Sequence, residues 1–229
     1  MKLGIPIQIA DGVFQLRAIG ARVTVLTSGD ETVLVDAGSR GSVGPIVAGL
    51  RALDLRIERV GLIVITHYHP DHTGGLSKLV QATSAKVAAH RLEAGIVRGK
   101  EPAPSPFRNE FVASVARPLI DQLYGTPVDV DYHLEDEDRL PMAEDVRVIH
   151  TPGHTSGSIC LYVASERVLI VGDALRWRLR RLRPPADSVT QDPRQAVLSL
   201  KKLAPLDFDT ICFSHFPPLR RNARAALQR

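Results

Sequence analysis

His67-Tyr68-His69-Pro70-Asp71-His72 sets three imidazoles and a carboxylate in one short stretch, directly after the apolar run Val60-Gly61-Leu62-Ile63-Val64-Ile65. A run of that length, rich in β-branched residues, reads as a buried strand. Pro70 and the Gly74-Gly75 pair then predict a break in regular structure. The chain is therefore expected to leave a buried strand and expose four metal-binding side chains on a loop at its carboxyl end. Imidazole and carboxylate ligate zinc and catalytic iron or manganese. Clustered histidines repel one another when charged, which argues against a merely polar loop. His67 and His69, two residues apart, share one side of an extended backbone. Asp71 and His72 follow a proline that turns the chain. The simplest division gives His67 and His69 to one ion, Asp71 and His72 to a second. Two protein ligands are too few for a zinc site, so others must come from later in the chain.

Three later segments supply them. Thr151-Pro152-Gly153-His154-Thr155 follows the strand-like Val146-Arg147-Val148-Ile149. Gly172-Asp173 follows Arg167-Val168-Leu169-Ile170-Val171, and Ser214-His215 follows Asp209-Thr210-Ile211-Cys212-Phe213. An apolar strand ending in a ligand-type residue thus recurs four times. A single such histidine would be ordinary in a core or on a surface; the set points to a metal site.

These motifs resemble those of the metallo-β-lactamase-fold hydrolase superfamily: H-x-H-x-D-H, a His in T-P-G-H-T, an Asp after Gly, and a final His. The resemblance runs from about Val33 to His215 and places the chain on a glyoxalase II-like or lactonase-like branch. It implies an α/β fold, the αββα sandwich, as one domain over residues 1–229, with a helical insertion at about 92–138. It implies that His67, His69 and His154 bind one metal, that Asp71, His72 and His215 bind a second, and that Asp173 bridges them. Val35-Asp36-Ala37-Gly38 matches the early D-x-G turn, whose Asp36 would support the metal loop from behind. Two divalent ions are implied, zinc foremost, with iron or manganese as alternatives. The implied activity is hydrolysis by a metal-bridging hydroxide, with Asp71 as the proton shuttle and Asp173 as the bridge.

Length and composition agree with this. At 229 residues the chain suits one large domain. No amino-terminal apolar segment reads as a signal peptide, and no run approaches a membrane span. Cys160 and Cys212 sit in strand-like segments and read as core thiols, with a disulfide the lesser alternative. A cytoplasmic protein without a membrane partner is expected. The net charge of +4 is unevenly distributed, with Arg176, Arg178, Arg180, Arg181 and Arg183 clustered just after Asp173.

Along the chain, antiparallel strands are expected over residues 5–10, 13–17, 22–27 and 32–36. Ser42 is placed to cap a helix over 43–53, with Val43, Ile46, Val47 and Leu50 on one stripe. A helix over 76–82 and a strand over 86–89 follow the metal loop. Pro102, Pro104 and Pro106 mark a stiff linker. Asn109 then caps a helix over 110–123 whose stripe is Phe111, Val115, Leu119 and Leu123; it either shapes the substrate pocket or packs on the sandwich. Glu135-Asp136-Glu137-Asp138 reads as a solvated turn. A helix from Asp192-Pro193 to about Leu203 turns Ala196, Val197, Leu200 and Leu203 inward. Residues 220–229 read as a basic terminal helix.

Departures from named relatives bear on substrate. A short tail follows His215, where glyoxalase II enzymes carry a glutathione-holding helical domain. Acyl-homoserine lactonases usually have Tyr where Arg176 stands. Flavodiiron proteins replace the second histidine of the loop, here His69, with Glu. The expected substrate is a small ester, thioester or lactone, with Arg176 an anchor for an anionic group and Tyr68 and Phe216 as pocket walls. Alternatives are a mononuclear iron enzyme of the persulfide dioxygenase type, on His67, His154 and Asp173, and a nuclease or nucleic-acid-binding protein using the Arg cluster. Oligomeric state is not legible in the sequence. Alternating Arg176-Trp177-Arg178-Leu179-Arg180 suggests an extended segment, with Trp177 and Leu179 packed beneath a basic face.

Overall fold

The computed structural model describes residues 2–105, 107 and 109–227. Strands β1 (Pro6–Ala10), β2 (Val13–Arg17), β3 (Arg22–Ser28) and β4 (Glu31–Val35) form an antiparallel meander. Strands β5 (Val60–Ile65), β6 (Lys86–His90) and β7 (Tyr132–Leu134) extend it in parallel, so spatial order follows chain order. A second sheet takes β8 (Arg139–Leu140), β9 (Ala143–His150), β10 (Ile159–Val163) and β11 (Val168–Ile170). Strands β12 (Arg176–Arg178) and β13 (Arg181–Arg183) form a separate hairpin. Strands β14 (Thr210–Cys212) and β15 (Leu219–Arg220) then close the second sheet in the order β15-β14-β11-β10-β9-β8.

Period-two alternation assigns each strand residue to one of two cores. Along β5, Leu62 and Val64 face the second sheet, where they meet Val148, Ile159, Leu161 and Ile170. Ile63 and Ile65 face the other way, against Ile46 and Leu50 of helix α1 (Val43–Ala52). Short α2 (Pro70–Thr73) precedes α3 (Leu76–Thr83) and α4 (Arg91–Val97), which give Leu76, Leu79, Ala94 and Val97 to the same layer. After α5 (Glu110–Leu123) and α6 (Pro193–Ser199), the last helix α7 (Ala223–Leu227) covers the far side of the second sheet, with Leu169, Phe208, Ile211 and Ala223 in that core. Helices lie outside two facing sheets, which is the αββα sandwich. No helix of the described residues is long and apolar enough to cross a membrane. Cys160 and Cys212 are free and buried in different layers, Cys160 under the outer helices and Cys212 between the sheets.

Several expectations need correction. Pro70 does not break structure but opens α2 at its first position, where a missing N–H costs nothing. The histidines that follow β5 are buried rather than exposed. Ser42 precedes α1 without capping it, because its hydroxyl accepts the Ile19 backbone N–H instead. Asn109 does cap α5, accepting from the Val112 N–H. The α5 stripe, however, faces solvent: Phe111 is 77% exposed. Helical periodicity identifies an apolar stripe but not which neighbour covers it. The half-buried side of α5 holds Ala113, Ala116 and Ile120 instead. Within the span 92–138, α4 and β7 pack into the first sheet's layers, so only the stretch around α5 lies outside them. The helix begun at Asp192, which accepts from the Gln195 N–H, is α-helical only to Ser199 and tightens to a 3₁₀ turn over Leu200–Lys202; Val197 points outward. Glu135 and Asp138 form the expected exposed turn. Pro106 of the linker and residues 228–229 of the tail lie outside the described residues.

Leu161 lies between the sheets with no exposed surface. We expect Leu161→Ala to cost about 3 kcal/mol in denaturant unfolding, from lost burial plus the cavity left behind. A shift under about 1 kcal/mol would mean that this layer is not close-packed.

Candidate metal centre

Four strand ends converge where the two sheets meet. The sheets are joined there by two backbone hydrogen bonds, from Ile159 N–H to the Thr66 carbonyl (3.0 Å) and from Arg22 N–H to the Ser214 carbonyl (2.8 Å). The loops after β5, β9, β11 and β14 carry His67 to His72, His154, Asp173 and His215 onto this edge. Two of them need glycine. Gly153 holds φ at +131°, and a Cβ there would collide with the Ala196 backbone at α6; Gly172 holds φ at +49° against Thr66.

All seven predicted ligand residues come together. His69 Nδ1 lies 3.0 Å from His67 Nε2 and 3.0 Å from His154 Nε2. Asp71, His72 and His215 form a second group, and in each group the ligand atoms lie within 4.8 Å of one another. Asp173 stands between them: its Oδ2 is 3.1 Å from His215 Nε2 and 3.6 Å from His154 Nε2, and its Oδ1 is 3.5 Å from His72 Nε2.

Except at His69, whose buried Nε2 has no partner among the described residues, the opposite ring nitrogens are held so that these lone pairs stay free. Asp36, at φ +68° at the end of β4, accepts the Thr66 N–H at Oδ1 (2.8 Å) and sits 2.7 Å from His72 Nδ1 through Oδ2. The Thr66 hydroxyl also donates to Asp36, which leaves its oxygen, 3.1 Å away, to accept from His67 Nδ1. His215 Nδ1 is 3.1 Å from the Gly20 carbonyl, and His154 Nδ1 is 3.4 Å from Thr190 Oγ1. Fixing one nitrogen as donor turns the other into a ligand.

The electrostatics suit cations. Burial, then the neighbouring imidazoles, depresses His67 well below the usual histidine range and His69 to about 3, so both rings are neutral. Burial also disfavours charge on His72, but Asp36, Asp71 and Asp173 outweigh it and raise its pKa. Burial would raise Asp71, yet His72 and His215 bring it down to about 2. Carboxylates are therefore ionised around the second group. His72 Nε2 and Asp173 Oδ1 are buried and have no hydrogen-bond partner among the described residues. Buried polar atoms are rarely left so. Divalent ions at these two groups fit the donor set, which is nitrogen-rich, carboxylate-bridged and without thiolate.

Sequence reasoning missed two supports. Thr66 is an ordinary strand-end residue whose role depends on Asp36, distant in the chain. Glu93 is wholly buried on α4 and joins two ligand loops: Oε2 accepts the Tyr68 N–H (2.7 Å), while Oε1 accepts the Gly157 N–H (2.7 Å) and the Thr155 hydroxyl (2.9 Å). Burial pushes its carboxyl up to about 7, and those three donors restrain the shift. A charged residue at helical spacing among apolar positions was the available signal.

The candidate substrate residues separate. Tyr68 is 1% exposed and points its hydroxyl at the Pro104 carbonyl (3.1 Å), while Gln191 donates to it (2.9 Å); it lies behind the loop, away from the cleft. Arg176 and Phe216 do border the open side, in a cavity of about 210 Å³ with Leu175, Pro185, Ala186 and Val189 beside His154, Asp173 and His215.

This fold and this centre are those of a metallohydrolase superfamily. Residues 17–215 match the Metallo-beta-lactamase superfamily, and the chain belongs to it. It is similar to the probable metallo-hydrolase YflN of Bacillus subtilis, with 29% identity over 210 residues, 85% of this chain and 79% of the relative. It is 30% identical over 203 residues to a hydroxyacylglutathione hydrolase of Cereibacter sphaeroides, covering 86% of this chain but 61% of that protein. Among solved structures, a metallo-beta-lactamase family protein from Thermus thermophilus aligns with a TM-score of 0.68 at 26% identity, covering 91% of this chain and 72% of the other.

Glu93→Ala would leave the buried Tyr68 and Gly157 N–H groups without an acceptor. The expected cost is about 3 kcal/mol in urea unfolding. An unshifted midpoint would mean that water replaces the carboxylate and that Glu93 does not clamp the loops.

Proposed function

We propose that the chain is a dinuclear metal-dependent hydrolase acting on a small carboxylic ester, thioester or lactone. The observation that carries this reading is the pair of convergent ligand groups with Asp173 between them and unpaired buried atoms aimed at the gap. His67, His69 and His154 are the proposed ligands of one ion; Asp71, His72 and His215 are those of the other; Asp173 would reach both. When bound, two divalent ions, zinc by the donor set, supply Lewis acidity and lower the pKa of water.

The protein's own groups do the rest. Asp36 holds His72 directly and His67 through Thr66. Asp71 keeps one-third of its side chain exposed, with Oδ2 3.2 Å from His215 Nε2, and is placed to hold and pass a proton at the mouth of the site. Leu175, Pro185, Val189 and Phe216 offer an apolar wall for an acyl group. One relative is named for hydrolysing hydroxyacylglutathione, which supports an acyl substrate. Free thiols at Cys160 and Cys212 fit a reducing, cytoplasmic compartment.

Metal-loaded protein assayed on matched esters, thioesters, lactones and phosphodiesters tests the reading: turnover of an acyl compound is expected, and turnover confined to phosphodiesters would overturn it. We expect His69→Ala to retain one ion and lose most activity. Asp173→Ala is expected to weaken both ions together, read by metal content after dialysis. Loss of a single ion from Asp173→Ala would make Asp173 a ligand of one metal only.

A further inference from the structure

The β12–β13 hairpin begins three residues after Asp173. Its register pairs Arg176 with Arg183, Trp177 with Leu182, and Arg178 with Arg181. Trp177 and Leu182 pack against the core behind it. Arg176, Arg178, Arg181 and Arg183 therefore share the opposite face, two against two. The segment does not continue extended through Arg180, and Leu179 is not packed beneath it: the chain turns at Leu179-Arg180, and Leu179 is 85% exposed.

Trp177 and Leu182 hold this hairpin from behind, but its exposed face and its turn work against it. Like charges directly opposite each other on a sheet are destabilising. The turn holds Leu179 at φ +50° and Arg180 at φ +60°, the region that two-residue hairpin loops normally fill with Asn and Gly. Among the described residues no carboxylate pairs with any of these arginines; Arg176 Nε donates to the Pro184 carbonyl (2.9 Å), and Arg178, Arg180, Arg181 and Arg183 are exposed. Such strain persists where the surrounding structure holds it, and it clusters at ligand-binding sites. The geometry suits one kind of ligand. Facing residues stand roughly 5 Å apart and alternate residues about 7 Å apart, so the four guanidiniums make a patch the size of two or three phosphates. Guanidinium forks bind phosphate oxygens in pairs. Arg176 is also part of the cleft wall, so the patch begins at the cleft and leads away from it.

We propose that this hairpin binds the carrier half of the substrate, and that the substrate is an acyl thioester or ester whose leaving group bears two or more phosphates. The acyl chain occupies the apolar wall at Phe216 and Val189, and the phosphates lie along Arg176, Arg183, Arg178 and Arg181. In hydrolysis the acyl C–S or C–O bond breaks, the oxygen of water joins the acid, and a proton goes to the departing thiol or alcohol. The proposal rests on the hydrolase reading for its chemistry, but the anion site stands on the hairpin alone.

The test uses the metal-loaded protein and the double variant Arg178→Gln/Arg181→Gln. Butyryl-coenzyme A is the phosphorylated substrate and butyryl-N-acetylcysteamine the uncharged one. The wild type is expected to prefer the phosphorylated thioester in kcat/KM, mainly through KM, and the variant to reduce that preference about tenfold or more. Calorimetry with coenzyme A itself reads the anion site without turnover; binding should weaken with salt and in the variant. Saturable binding of coenzyme A without hydrolysis of either thioester would keep the anion site and sink the hydrolase reading. Equal preference for the two thioesters, with no coenzyme A binding, would overturn the proposal and leave the hydrolase standing. A single-stranded oligonucleotide binding more tightly than coenzyme A, with a steeper salt slope, would also overturn it in favour of nucleic acid.

Discussion

Asp36 is the interaction on which the site depends. Buried at the end of β4 and twisted to a positive φ, it ties that strand to the end of β5 through Thr66 and fixes His72. One carboxylate thus sets a ring in each proposed ligand group, His72 directly and His67 by way of a hydroxyl. The parallel pairing of β4 with β5 brings the two ends together, and the two cores hold that pairing by burying Leu62 and Val64 on one side, Ile63 and Ile65 on the other. Fold and site are joined here: the hydrophobic layers place the strand ends, and a short polar chain aims the imidazoles.

The sequence made the convergent His and Asp cluster legible because its chemistry is local and dense. Three histidines and an aspartate after an apolar run announce themselves, and each later candidate ligand also follows a strand. The sandwich was legible for the same reason: alternation and apolar runs report burial whatever the partner. What stayed hidden depends on distant pairs. Thr66 and Glu93 are unexceptional residues until Asp36 and the His154 loop fold against them. The stripe of α5 has the right period, but period does not say that Ala113, Ala116 and Ile120 would form the half-buried side. The hairpin turn at Leu179-Arg180 carries no Gly or Asn, so turn chemistry could not reveal it. Tyr68 beside two ligands read as a pocket wall, yet the alternation that points His67 and His69 to the site points Tyr68 away from it.

The site is asymmetric in charge. His67, His69 and His154 form a buried, neutral nitrogen group, whereas the second group collects Asp71, Asp173 and, through His72, Asp36. On the open side an apolar wall gives way to the arginines of the hairpin. The proposed substrate would lie with its scissile bond at the ligand cluster, its acyl segment on the apolar wall and its anionic handle on the hairpin.

If the two ligand groups hold two divalent ions on either side of Asp173, anomalous X-ray scattering from zinc-loaded crystals will locate both. Two peaks are expected, one within ligand distance of His67, His69 and His154, the other within ligand distance of Asp71, His72 and His215, with the Asp173 carboxylate between them. A single peak at saturating zinc, with Asp71 and His215 free of metal, would contradict the two-ion account.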